Sequence, residues 1–306
     1  MTGGAGYLGA TLVPLLLKHG HLVTVLDNFM YGQTPFNHIC SNPMFDVVNG
    51  DCRDNETLRP LVKWADVVIP LAALVGAPLC DKNQIGAKST NLDAVKSLTM
   101  WMSREQRLLI PISNSGYGVG EPGKECTEET PMRPVSLYGL TKVEAEKAAL
   151  GHGNTISFRL ATVFGASPRM RVDLLLNEFV WKAVTDRSIV LFEPDFMRNF
   201  CHVRDVASAF VHGLVNFDHM KNQVYNVGDT AANISKRQLC ERISKHVPEF
   251  EVFEAKIGTD PDKRDYIVSN AKIESAGWKP KYTIDFGIQE LIKLYRTFPK
   301  FRLGNV

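Results

Sequence analysis

The chain opens on Thr2-Gly3-Gly4-Ala5-Gly6-Tyr7-Leu8-Gly9, which runs directly into the apolar stretch Ala10–Leu17. Glycines at 3, 6 and 9 suit a tight turn in which backbone N–H groups meet a pyrophosphate at the start of a helix. Lys18-His19-Gly20-His21 stops that helix, and Leu22–Leu26 follows as a short β-branched strand ending in Asp27-Asn28. An acid about 20 residues past such a turn stands where the adenosine ribose of a dinucleotide is hydrogen-bonded. Asp27 repels a 2′-phosphate, and residues 28–33 contain no arginine to hold one, so the pattern favours NAD over NADP. Only Met1 and Thr2 precede the turn, where a full strand is expected. Either the outer part of that central strand is lost from the protein or the sequence begins inside it; its loss should lower stability through missing ladder bonds and core contacts and leave the chemistry in place.

A second pattern lies at Tyr138-Gly139-Leu140-Thr141-Lys142. A tyrosine and a lysine at this spacing share one helix face, so the ammonium sits beside the phenol and favours its ionised form. On its own this spacing describes a solvated helix face. Beside a dinucleotide turn it describes a base that removes a hydroxyl proton while the cofactor accepts a hydride. Ile110–Gly118 reads as an apolar strand ending in the small polar residues Ser113, Asn114 and Ser115. Ligands sit at strand carboxyl ends in open parallel sheets, where Ser113 would bond the hydroxyl that Tyr138 deprotonates; an ordinary turn is the plainer reading of the segment alone.

Strands at Leu22–Leu26, Phe45–Val48, Ala65–Pro70, Arg107–Ile112 and Thr155–Leu160 alternate with helical stretches such as Asp93–Met102 and Tyr138–Ala149. Such alternation predicts an α/β fold, a Rossmann-type doubly wound parallel sheet with helices on both faces. Gly50-Asp51-Cys52 and Pro70-Leu71-Ala72-Ala73 then fall at strand ends lining the cofactor crevice. A smaller α/β substrate-binding lobe begins after Gly165, with a loop over Ala166–Arg171 and an amphipathic helix over Val172–Thr185. Residues 1–165 with about 198–227 form the NAD-binding domain, and 166–197 with 228–306 the other lobe. Arg169 and Arg171 are candidates for phosphate or sugar hydroxyls, since guanidinium pairs with oxyanions, against the alternative of a solvated loop. Arg264 divides between a phosphate clamp and a surface ion pair. His202 reads as a packed residue in an apolar strand, and Trp278 and Phe286 as core.

At 306 residues, 44% of them hydrophobic and 22% charged, the chain can bury a large core and carry two lobes. A formal charge of +2 gives no argument for nucleic acid or membrane, and no apolar run reaches the ~18 residues of a span. No signal peptide is visible. Six cysteines without CxxC spacing read as reduced thiols in a cytoplasmic protein, with no metal site.

With these motifs in order, the chain resembles the extended short-chain dehydrogenase/reductases of the nucleotide-sugar epimerase and dehydratase group over essentially its whole length. The resemblance runs from TGGAGYLG through Asp27-Asn28, Gly50-Asp51, Leu71–Ala73, Asn91, SNSGYG and YGLTK. It continues with Arg159–Gly165, Arg198–Val206, Tyr225–Gly228, Ser269–Lys272 and Gly277-Trp278. It implies a catalytic trio of Ser113, Tyr138 and Lys142, with Ser115 near the substrate. For the cofactor it implies Gly3, Gly6, Tyr7, Leu8, Asp27, Asn28, Asp51, Cys52, Leu71, Ala72 and Ala73, with Asn91 on a supporting helix. Arg198 and Arg264 are implied for a nucleotide diphosphate, Asn177 for a phosphate contact, and a homodimer through the helices near 93–102 and 138–149.

Three stretches, Pro70–Cys80, Arg159–Arg171 and Asp260–Asn270, are similar to the bacterial GDP-manno-heptose 4-dehydrogenase subgroup, implying oxidation at C4 of a GDP-heptose-like substrate for surface polysaccharide. Related dehydratases carry Asp-Glu after the serine; here Asn114 and Ser115 stand there, which argues against 4,6-dehydration. A 4-epimerase with transient C4 oxidation is the alternative outcome, and a non-catalytic NAD-binding protein a remoter one, since the trio is intact.

Overall fold

The computed structural model describes residues 1–121, 123–255 and 264–297; Asp260 and its neighbours to 263 lie outside them. Strands Val23–Asp27 and Phe45–Asn49 pair in parallel, and Val67–Val68, Arg107–Ser113, Thr155–Leu160 and Gln223–Val227 form a second parallel set in that spatial order. Thr2 alone joins the two sets, bridging to Leu26 on one side and Pro70 on the other. The first strand is thus a single rung. The strand expected over 65–70 is reduced to Val67–Val68, and Pro70, which has no N–H to donate, makes only the bridge to Thr2.

Alternation within the strands explains the two-faced core. Leu109, Ile156 and Phe158 point to one side, where Leu12, Val13, Leu16 and Leu17 of helix Gly9–Lys18 meet Val206, Ala207 and Phe210 of helix Val203–Val215. Leu108, Ile110 and Ile112 point to the other, against Leu58, Val62, Val95, Leu98, Ala145 and Ala149 from three further helices. This is an α/β Rossmann-like fold with a doubly wound parallel sheet. A separate apolar cluster gathers Phe164, Leu176, Phe179, Val180, Ile189, Leu239, Ile288 and Leu291 around helix Leu175–Thr185. That helix starts later than its hydrophobic pattern predicts, because Leu174 is extended at ψ 138°.

His202 is fully buried against the Phe164 and Tyr282 rings, and Trp278 is buried with its indole N–H donating to Ser208. Phe286, expected in the core, is 41% exposed; it caps His202 and Tyr282 from the solvent side. Cys40 is exposed and the other five cysteines are buried, all of them free thiols. Among the described residues no helix is long and apolar enough to cross a membrane, and no cluster of ligating side chains could hold a metal.

Candidate active site

One large cleft of about 970 Å³ runs along the carboxyl ends of the sheet strands and up between the apolar clusters. Its floor is the glycine turn. Gly3 has φ +66°, and a Cβ there would stand 2.4 Å from the backbone nitrogen of Ala72, so only glycine lets the turn pass under the Leu71–Ala73 segment. Gly3 N–H donates to Leu26 O at 2.8 Å. Asp27 accepts from Ala5 N–H through Oδ2 and from Phe29 N–H through Oδ1, both at 2.9 Å, which fixes its carboxylate between the turn and the loop that follows. Tyr7, Leu8, Asn28, Asp51, Cys52, Leu71, Ala72 and Ala73 all line this part of the cleft. Helix Gly9–Lys18 points its N-terminus there without a side-chain cap. Uncapped N–H groups, no side-chain bulk and an anchored acid form a cradle that fits the diphosphate and ribose of a dinucleotide.

Asn91 lies behind the cleft wall. Its Oδ1 accepts from Leu74 N–H at 2.8 Å, and its Nδ2 donates to Leu74 O at 2.9 Å and to Thr141 Oγ1 at 3.3 Å. It therefore props the cofactor wall against the next helix from within a π-helical turn, Ser89–Asp93, where the sequence pattern reads plain α-helix.

Tyr138 and Lys142 sit one turn apart on helix Leu137–His152, whose first turn is capped by Ser136 accepting from Gly139 N–H at 3.1 Å. Gly139 permits a close approach to the Ser115 backbone: a Cβ there would lie 3.2 Å from Ser115 O. Ser113 ends its strand with Oγ accepting from Ser115 N–H at 3.2 Å and Ser115 Oγ–H at 2.9 Å. Its own O–H is left to bond the Tyr138 phenol. Ser113, Ser115, Tyr138 and Lys142 thus converge on one stretch of the cleft.

The electrostatics differ from the simple pairing read in the sequence. Burial raises the Tyr138 phenol above its ordinary value, opposed by the charges of Arg171 and Arg264 and by the Ser113 hydrogen bond. Burial also lowers Lys142 to about 8, with Glu146 pulling the other way. The cations acting most on Tyr138 are therefore Arg171 and Arg264, and Lys142 is itself desolvated. Glu146 is held in turn by Arg159, through Nη2 at 2.7 Å, and by Ser157 Oγ at 2.6 Å.

Two expected substrate contacts are corrected. Asn177 is fully buried and does not reach the cleft. Its Oδ1 accepts from Gly165 N–H at 3.0 Å, and its Nδ2 donates to Arg171 O at 2.8 Å and Tyr7 Oη at 3.3 Å. Arg198 is also buried, donating to Met197 O at 3.0 Å with its guanidinium 5.9 Å from the Tyr266 ring centroid; Tyr266, not Arg198, lines the cleft. Arg169, Arg171 and Arg264 do line it, with Arg171 bound to Asp173 at 2.6 Å. Lys236, Tyr266 and the strand Ser188–Leu191 complete the upper wall. No local spacing marks these residues, because their place depends on tertiary packing between segments far apart in the chain.

The profile of the NAD dependent epimerase/dehydratase family matches residues 1–228 of this chain. The chain belongs to that family. NAD is the family's cofactor, and the cradle above accommodates it. Among curated relatives, a UDP-glucose 4-epimerase of Corynebacterium glutamicum is 27% identical, over 92% of this chain and 91% of its own. A UDP-glucuronic acid decarboxylase 1 of Arabidopsis thaliana is 26% identical, over 97% and 69%. A UDP-glucuronic acid 4-epimerase from Bacillus cereus, solved with UDP-glucuronic acid and NAD, superposes with a TM-score of 0.85 at 20% identity, covering 96% of this chain and 98% of that one. A dTDP-glucose 4,6-dehydratase of Bacillus anthracis in complex with NAD gives 0.83 at 23% identity, covering 96% and 95%. At such identities the superpositions speak for the shared fold.

Proposed function

We propose that this family member is a nucleotide-sugar 4-epimerase acting by transient oxidation at C4. The observation that carries the reading is the convergence of Ser113, Tyr138 and Lys142 on the cleft, with Asn114 and Ser115 where a dehydrating enzyme needs carboxylates. Ionised Tyr138 takes the proton of the sugar hydroxyl. Ser113 donates to that oxygen as it gains carbonyl character. Arg171 and Arg264 supply positive charge to the phenolate. NAD, when bound, would supply a reversible hydride acceptor at C4. Epimerisation then requires the oxidised sugar to turn its other face, with Tyr138 returning the proton. The epimerase names among the curated relatives support this outcome.

A second reading is net oxidation at C4 of a GDP-heptose-like sugar for surface polysaccharide. It is favoured by the heptose-like stretch Pro70–Cys80, whose Leu74, Leu79 and Cys80 pack in one cluster with Leu137 and Tyr138. Incubation of the NAD-loaded protein with UDP-glucose and with GDP-manno-heptose separates the two. An isomer without NADH supports the epimerase; a 4-keto sugar with stoichiometric NADH overturns it in favour of the dehydrogenase.

The same reading assigns residues 1–165 and about 198–227 to NAD, and 166–197 with 228–306 to the sugar nucleotide, where Arg264 serves its diphosphate. It pairs two copies through helices Ala94–Trp101 and Leu137–His152, which leave Met100 and Leu140 exposed.

A further inference from the structure

The loop Gly165–Arg171 follows the strand Thr162–Phe164 and leads into the second lobe, yet four of its hydrogen bonds go to the glycine turn, the helix after it and the loop after Asp27. Tyr7 Oη donates to Gly165 O at 2.6 Å, Ser167 Oγ donates to Tyr7 O at 2.7 Å, and Thr11 Oγ1 donates to Ser167 Oγ at 3.3 Å. Met170 N–H donates to the Gln33 side chain at 3.1 Å. Between these ties Arg169, only 2% exposed, lays its guanidinium 4.1 Å from the centroid of the Tyr31 ring and lines the cleft beside Asp27. Stacking uses the guanidinium face and leaves its N–H donors in plane, where planar groups bind oxyanions best. A diphosphate entering next to the Asp27 carboxylate needs positive charge on its open side, and a cation held out of water delivers more of it.

We propose that Arg169, stacked on Tyr31, closes over the glycine turn and binds the diphosphate of NAD, so that this arginine retains the cofactor and does not contact the sugar nucleotide. The assignment concerns the cofactor and stands whether the enzyme epimerises or oxidises. It is tested by titrating NAD, ADP-ribose and adenosine into NAD-stripped protein, and UDP and GDP into NAD-loaded protein, by calorimetry. Arg169→Met is expected to weaken NAD and ADP-ribose by about 10- to 100-fold, the scale of a charge-assisted hydrogen bond. Adenosine, UDP and GDP should bind as to the parent. Tyr31→Leu, which keeps the cation but removes its platform, should weaken NAD by a few-fold and decides the matter if Arg169→Met does not fold. Unchanged NAD affinity in either folded variant overturns the proposal. So does a loss confined to UDP or GDP, which would make Arg169 a substrate contact.

Discussion

Lys142 carries a cost that its neighbours do not remove. Burial lowers it from its ordinary value to about 8, so below that pH the folded protein holds a charge that the unfolded chain solvates freely. The sign follows: this penalty is complete below pH ~8 and fades as pH rises towards ~10.4, the value of the unfolded group. Lys142→Met keeps the volume and removes the charge, and is expected to raise stability at pH 7 by roughly 3–4 kcal/mol, at ~1.4 kcal/mol per unit, while abolishing turnover. Thermal melts beside an activity assay read both effects. A neutral or destabilised Lys142→Met would mean that the ammonium is well solvated. Tyr138→Phe should keep NAD affinity and lose about 10²–10⁴-fold in turnover, the usual weight of general-base catalysis. Because the phenol is raised by burial, kcat/KM should climb with pH. Arg171→Met removes the largest influence opposing that rise and should move the limb to higher pH. A limb that stays in place would assign the titration to another group.

Helix Leu137–His152 does more than display Tyr138 and Lys142. On the turn after Lys142, Glu146 reaches into the sheet and meets Arg159 and Ser157 on strand Thr155–Leu160. Arg159 also donates to Tyr117 Oη at 3.1 Å, tying in the turn that follows Ser113. The base, its lysine and its serine are thereby referenced to one buried ion pair. Glu146→Gln leaves the Arg159 charge without its partner and is expected to cost about 3–5 kcal/mol, seen as a lower denaturation midpoint. An unchanged midpoint would show that solvent reaches the pair. Features like the glycine turn, Asp27 and the Tyr-Lys helix were legible in the sequence because each is set by spacing within one element or one turn. Asn177 and Arg198 were not: their type suits a phosphate, but only tertiary packing decides whether an amide faces a ligand or the backbone of Gly165. The π-helical turn at Asn91 was hidden for a related reason, since it arises where that side chain bonds Leu74 and Thr141.

Across the whole molecule, one carboxylate far along the chain ties the loop after strand Thr162–Phe164 to the strand and helix around His202. Glu290, on helix Ile284–Tyr295, accepts from Ala166 N–H at 2.8 Å, lies 2.9 Å from His202 Nε2 and binds Arg204. Burial pushes its carboxyl up, but the His202 hydrogen bond, the Ala166 N–H and the Arg204 charge outweigh that and leave it below the ordinary value. A depressed carboxyl stabilises the fold above its unfolded pKa, and that contribution is lost as pH falls through the folded one. Glu290→Gln should therefore be less stable than the parent at pH 7, by about 1–3 kcal/mol, with the gap closing below pH ~4. Ala166 begins the loop that carries Arg169, so the same variant should speed amide exchange across residues 165–171 and weaken NAD by a few-fold. If exchange in that loop and NAD affinity both stay at parental values while stability drops, Glu290 braces only His202 and Arg204. The link from helix Ile284–Tyr295 to the cofactor turn would then run, among the described residues, through the hydrogen bond from Tyr295 Oη to Asn177 O, and from there to Gly165.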